Sequence, residues 1–461
     1  MMKLNALFLS IFVLVFFQSC SEDLLDKLPE KTESQSVSED AVRTKEDLQR
    51  LLISSYDVVA NMYGGQIQNL SELLGDNIDS PANQNDYIQI YTRKTDIFNG
   101  TIGSVYQNAY ITIYRANQLI AKKEDVENIT DQEKIQLEAE ARFLRALSHH
   151  GVLRLFAQPA GYTSDNSHLG IVLRMKFSQE VGLRSTVKAC YDSILVDLKF
   201  AEQNLPETNG IYASKWSAKA LMARVYFDLN QFDLAASTAS EIINSGLFSL
   251  LDTTNRFSAG SNTEQLFATV SYNQNSISDE RGGAFLNYRS DNNTNPSMRA
   301  NADFFSFMTS DTTDSRGKNW FRQIGDGPTS IYGVAKFDRS FMWIPILHLT
   351  EMKLTRAEAL ASSQSPDYIT ALNDLNDIRA RAGLVEVNAS GQTLINAIRE
   401  ERRKELCFEG DRTIQIKRIG TLGIPSLSRG APWNCPGMVL QFPGAENTVI
   451  GFELNPTGGC E

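Results

Sequence analysis

The strongest constraint on this chain is the recurrence of apolar side chains three and four residues apart, the spacing of a helix that buries one face. Leu48, Leu51, Leu52, Tyr56, Val59 and Met62 set the first such stripe, and others run through 105–120, 135–156, 187–205, 346–360, 369–382 and 394–408. Two stripes lie close together in sequence. Trp216, Ala220, Leu221, Val225 and Tyr226 line 215–229, residues 230–233 make the turn, and Ala235, Ala236, Ala239 and Ile242 line 232–244. Small residues at the crossing point let two backbones approach, while aromatics fill the outer positions. The pattern predicts a mainly α fold built from antiparallel helix pairs.

A pair of that make matches a tetratricopeptide (TPR) unit, and Ala357-Glu358-Ala359 followed by Ala371, Leu375 and Ile378 reads as another. The helical period breaks twice. Residues 247–345 are rich in Gly, Asn, Ser, Asp and scattered aromatics, and a shorter stretch over 64–103 includes Gly75-Asp76-Asn77-Ile78-Asp79-Ser80-Pro81. Long irregular segments inside a compact protein are usually functional, so the two together are expected to form the ligand face. No Pro-, Gly- or Ser-rich linker divides the 461 residues, which favours one large domain over residues 20–461.

The N-terminus predicts export. Lys3 precedes an apolar stretch over 6–17, then Gln18-Ser19-Cys20 and the acidic Ser21-Glu22-Asp23. This is the layout of a secretory signal peptide over residues 1–19, and the apolar stretch is shorter than the ~20 residues that span a bilayer. The small residue before Cys20 is similar to a lipobox, in which the cysteine becomes the acylated first residue of a lipoprotein. Phe17 and Gln18 depart from that pattern. Of the other cysteines, Cys190 and Cys407 fall in apolar helical stripes and are expected as buried thiols. Cys435 and Cys460 sit in an extended Gly/Pro-rich tail that accommodates a small disulfide.

Composition and motifs narrow the chemistry. Forty-four Lys and Arg against 55 Asp and Glu give a net charge of −11, which disfavours a general nucleic-acid binder. G-x-S-x-G, P-loop, G-x-G-x-x-G and H-E-x-x-H patterns are all missing, and no metal or cofactor is expected. His149 and His150 are adjacent on a predicted helix, point about 100° apart and are expected as a partly exposed pair at its end. Glu400, Glu401, Glu405 and Glu409 alternate with Arg399, Arg402, Arg403 and Lys404, which reads as ion pairing along one helix rather than a catalytic carboxylate pair.

Four segments then resemble the RagB/SusD family of nutrient-uptake outer-membrane lipoproteins. They are residues 138–147 (EAEARFLRAL), residues 218–226 (AKALMARVY), Ala357-Glu358-Ala359 with residues 376–383 (NDIRARAG), and residues 401–412 (ERRKELCFEGDR). With the acidic lipoprotein start they are collinear over nearly the whole mature chain. The closing Gly458-Gly459-Cys460 departs from the family's usual ending. The resemblance implies a TPR-like scaffold that presents a loop-rich ligand face and docks as a lid on a SusC-like TonB-dependent transporter. It implies capture of oligosaccharides, or in some members peptides, with Asp411 and Arg412 tied into the ion pairs of the last helix.

A sugar site needs flat aromatic faces for the C–H side of pyranose rings and planar amides, carboxylates or Arg for the hydroxyls. In the irregular regions the candidates are Trp320, as an exposed stacking platform, with Tyr288, Tyr332, Asp76, Asn77 and Tyr87. Trp216 and Trp343 lie in helical stripes and are assigned to the core. Three readings stay open: a lid that binds glycan, the same lid binding peptide or another nutrient, and, with least support, a loop-rich extracellular hydrolase.

Overall fold

The computed structural model describes residues 42–460, apart from 82–83, 179, 255, 258–259, 261, 271–282, 292–294 and 339–341. The signal peptide and Cys20 lie outside the described residues. Among those described, no helix is long and apolar enough to cross a membrane.

Besides a short antiparallel pair, β1 (Leu169–Val172) and β2 (Arg184–Thr186), paired helices form the scaffold. They are α1 (Lys45–Tyr63), α4 (Gly100–Lys122), α5 (Asp131–Phe156), α6 (Val187–Asn204), α7 (Lys215–Asp228), α8 (Phe232–Asn244), α11 (Leu349–Ser362), α12 (Tyr368–Arg381) and α13 (Gly391–Glu405). Each packs on its neighbours in a running order: α1 on α4, α4 on α5, α5 on α6, α6 on α7, α7 on α8, α8 on α11, and α11 on α12 and α13. Several begin where the sequence punctuates them. Thr44 with Asp47, Thr130 with Glu133 and Ser214 with Ser217 form reciprocal caps that satisfy the free N–H groups of the first turn. The fold is therefore mainly α with a TPR-like arrangement of helix pairs, as the periodicity predicts.

Three expectations are corrected first. The stripe over 346–360 begins as a strand, β6 (Ile344–His348), which pairs antiparallel with β3 (Gln265–Thr269) before α11 starts. All five residues of β6 are buried, and a continuously apolar run does not distinguish a covered strand from a helix by period. Trp343 precedes β6 outside any helix and is half-buried. His149 and His150 are both 1% exposed, because the C-terminal half of α5 is covered on every side. Burial pulls the His149 imidazole down to about 3 and lowers His150 despite its contact with Asp228 at 2.9 Å.

The two breaks in helical period are also more ordered than their composition implies. Residues 64–103 contain α2 (Gln66–Leu74) and α3 (Asn85–Tyr91). Residues 247–345 contain β3, α9 (Ala302–Thr309), the short α10 (Ser315–Asn319), and a hairpin of β4 (Phe321–Ile324) and β5 (Ile331–Val334). After α13 come a turn and α14 (Arg412–Thr421). Cys190 and Cys407 are buried thiols, and Cys435 pairs with Cys460 to tie down the C-terminal tail.

The acidic residues over 400–409 do not simply pair along one helix. Glu400 meets Lys404 at 3.3 Å in that way, but the other three turn inward. Glu405 accepts from Arg256 at 2.8 Å, Arg316 at 2.8 Å and Arg381 at 2.7 Å. Glu401 meets Arg316 at 2.6 Å and Arg379 at 3.2 Å. Glu409 receives Lys336 at 2.7 Å together with Arg256, and Asp314 and Glu264 complete the set by holding Arg316 and Arg381. Five cations face five carboxylates, so the cluster neutralises itself without solvent. It bends the chain to do so. Phe408 adopts φ 64° and Gly410 φ 83°, and a Cβ on Gly410 would stand 3.0 Å from the Gln68 Cα.

Burial alone would raise the Glu405 carboxyl, but Arg381, Arg256 and Arg316 outweigh it and hold it at about 2. A carboxyl held below its ordinary 4.5 contributes stability that is present above pH 4.5 and disappears as pH falls toward 2. Glu405→Gln should therefore cost about 3–5 kcal/mol at neutral pH, the loss expected when buried charges are left unpaired. Urea unfolding at pH 7 and pH 3 measures it, and the gap from wild type should narrow at the lower pH. An equal gap at both would contradict the pairing.

Candidate functional site

The two regions predicted to form the ligand face do meet. Ala300 forms a backbone bridge to Ile78 on one side and to Tyr332 on the other, and Asn301 donates its backbone N–H to the Asn77 carbonyl at 3.1 Å. The Asp79 N–H donates to the Arg299 carbonyl at 3.0 Å, and Arg299 Nε contacts the Asp79 carboxylate at 3.1 Å. A little further along, Gln84 Nε2 donates to Asn287 Oδ1 at 3.0 Å, and Asn287 Nδ2 donates to the Tyr87 hydroxyl at 3.3 Å. The result is a seam of planar groups at the surface. Beside it, Phe305 and Tyr332 stack at 4.2 Å with 18° between the rings, both half-buried.

The individual candidates fall in different places. Trp320 is corrected outright: it is 2% exposed and lies in the hydrophobic core. Its backbone carries the turn from α10 into the hairpin, accepting the Ala335 N–H at 2.8 Å, and the Lys336 ammonium sits 4.1 Å from its ring centre. The polar neighbours that flag it, Lys318, Asn319 and Arg322, are exposed, while the ring turns to the opposite side of the short turn between α10 and β4 and packs inside. Tyr288 is likewise fully buried, packed on Phe285, Phe337 and Phe408. The short 3-10 turn over Gly283–Tyr288 points the ring inward while Asn287 and Arg289 stay at the surface.

Asp76 and Asn77 shape the seam from beneath. Arg412 grips the Asp76 carboxylate with two hydrogen bonds, at 2.6 and 2.7 Å. Burial would raise that carboxyl, but the guanidinium outweighs it and the net shift is downward. Asn77 is fully buried and accepts from Arg403 Nε at 3.0 Å. Tyr87 is 5% exposed and reaches the seam only through its hydroxyl, which also receives Asn69. Tyr332 alone of the predicted set offers part of a ring at the surface.

Sequence reasoning missed Asp79, Gln84, Asn287, Arg299 and Phe305. Two of them carried a signal: Asn287 stands beside Tyr288, and Asp79 lies within the loop that supplied Asp76 and Asn77. Among the described residues, no group of three His, Cys, Asp or Glu could hold a metal ion.

The corrected placement has a direct test. Trp320→Ala should destabilise the protein by about 3–5 kcal/mol, as large-to-small changes do in a packed core, measured by the fall in melting temperature. An unchanged melting temperature with lost ligand binding would return Trp320 to the surface.

Comparison with known proteins fits this architecture. Residues 23–227 match the model of a family described as starch-binding and associating with the outer membrane, and residues 330–449 match that of the SusD family. A SusD-like protein of Formosa agariphila, P2, is 26% identical over 437 residues, covering 82% of this chain and 84% of that protein. Among solved structures, a SusD superfamily protein from Bacteroides vulgatus superposes with a TM-score of 0.77 at 21% identity, covering 90% of this chain and 99% of that one. A laminarin-binding SusD-like protein superposes with a TM-score of 0.72 at 20% identity, covering 90% and 100%. The paired helices and these matches together place the chain in the SusD/RagB family.

Proposed function

We propose that this protein is a surface-exposed outer-membrane lipoprotein, anchored through Cys20 as a single domain over residues 20–461. It binds an oligosaccharide at the seam and delivers it to a SusC-like TonB-dependent transporter as a lid. The observation that carries the glycan reading is the seam's chemistry. Gln84 and Asn287 present planar amides, Asp79 and Arg299 a carboxylate beside a guanidinium, and Phe305 and Tyr332 an aromatic stack within the same local structure. Planar donors and acceptors suit vicinal hydroxyls, and a flat aromatic face suits the apolar side of a sugar ring. The described fold supplies positioned hydrogen-bonding groups, which is what capture requires; we assign it no hydrolytic step. A laminarin-binding protein of the same fold makes β-glucan oligosaccharides the first ligands to try.

Calorimetry against laminarin, starch and peptide fragments tests the reading. Gln84→Ala and Asn287→Ala should each weaken binding of the preferred glycan while changing stability by no more than about 0.5 kcal/mol, the range for surface positions. Binding of peptides alone would favour the peptide lid, and glycan binding untouched by either substitution would move the site elsewhere. For the anchor, Cys20→Ala should move the protein from the membrane to the soluble fraction, and unchanged membrane retention would refute it.

A further inference from the structure

A second feature lies away from the seam, where α5 ends against α6, the last residue of α7 and α14. A cavity there is lined by Arg154, Gln158, Pro159, Tyr191, Asp228 and Lys417, among others. Arg154, Gln158 and Pro159 are half-buried and form its mouth, whereas Tyr191, Asp228 and Lys417 are buried. Lys417 is 2% exposed, and its Nζ finds no hydrogen-bond partner among the described residues.

The neighbouring anions are already committed. Asp228 is held by His150 at 2.9 Å and Arg154 at 3.1 Å. Glu358, which holds the adjacent Arg418 at 2.7 Å, is shared with Arg399 at 2.7 Å. The carbonyls at the end of α5 are occupied too: Leu153 by the Ala157 N–H, Leu155 by the Leu440 N–H, and Phe156 by Asn455 Nδ2. An amine buried without a counter-charge is costly, and here burial, with Arg154 nearby, pulls its pKa down to about 7.

We propose that this cavity is a receptor for the carboxylate of a small anion, with the Lys417 ammonium at its base and Arg154 at its mouth. The carboxylate supplies the missing counter-charge, and Asp228 stays paired to His150. Two sources share this chemistry, a free organic acid and the acid group of an acidic sugar. The site is independent of the seam and does not rest on the glycan reading.

Calorimetry with sodium acetate and with sodium glucuronate at constant chloride tests it on the full mature chain. Acetate should bind the wild type, and Lys417→Met should weaken it at least about tenfold, as loss of a charge-assisted hydrogen bond does. Glucuronate binding with the same loss assigns the site to acidic sugars, while acetate binding alone assigns it to free acids. Should Lys417→Met not fold, isotope-labelled lysine in the unaltered protein gives a second reading, because acetate should shift the Lys417 Cε resonance and leave surface lysines unmoved. No binding of either acid, equal binding to the variant, or a Lys417 signal that ignores acetate would overturn the proposal.

Discussion

The side of the seam that comes from residues 247–345 hangs from the carboxylates of Glu401, Glu405 and Glu409. Their partners Arg256, Arg316 and Lys336 all come from residues 247–345, the stretch least able to hold itself in place by helical packing. Arg379 and Arg381 come from α12 of the scaffold. One side of the cluster is thus anchored in paired helices and the other in the insertion, and removing any member leaves a buried charge without its counterpart. The strained turn at Phe408 and Gly410 brings Glu409 into reach of the same cations that hold Glu405.

That mooring places the seam. Arg316 and Lys336 fix the two sides of Trp320, whose backbone leads into the β4–β5 hairpin, and β5 presents Tyr332 to Phe305. On the opposite side, Arg412 and Arg403 hold Asp76 and Asn77 from the C-terminal motif. Ala300 is bridged to both sides at once. Buried charges therefore set the distance between the two loop regions, and the surface amides inherit a fixed geometry at no further entropic expense.

Much of this was legible from residues alone and some was not, for physical reasons. Helix pairing was readable because period and small-residue crossings are local properties, and 232–244 is the same in expectation and structure. The motif over 138–147 was recognisable, and its meaning is now visible: Arg145 clamps Asp197 of α6 at 2.8 and 2.6 Å. The individual ligand residues were not readable. Trp320 and Tyr288 sit among polar neighbours, and in both cases those neighbours stay toward the surface while the ring turns inward across a tight turn. Polarity along the chain reports where the polar groups themselves go, and a ring one residue away can face the other side, as Trp320 does beside exposed Asn319.

The proposed binding place is the junction of residues 76–81, 84–89, 287–291, 295–301 and 331–333. Hydrogen–deuterium exchange of the mature protein with and without its preferred oligosaccharide tests it most directly. Ligand bound there slows exchange at those residues alone, with α11 to α13 unaffected. Protection elsewhere, for example at the cleft between Tyr56 of α1 and Tyr212, with the junction unchanged, would contradict it.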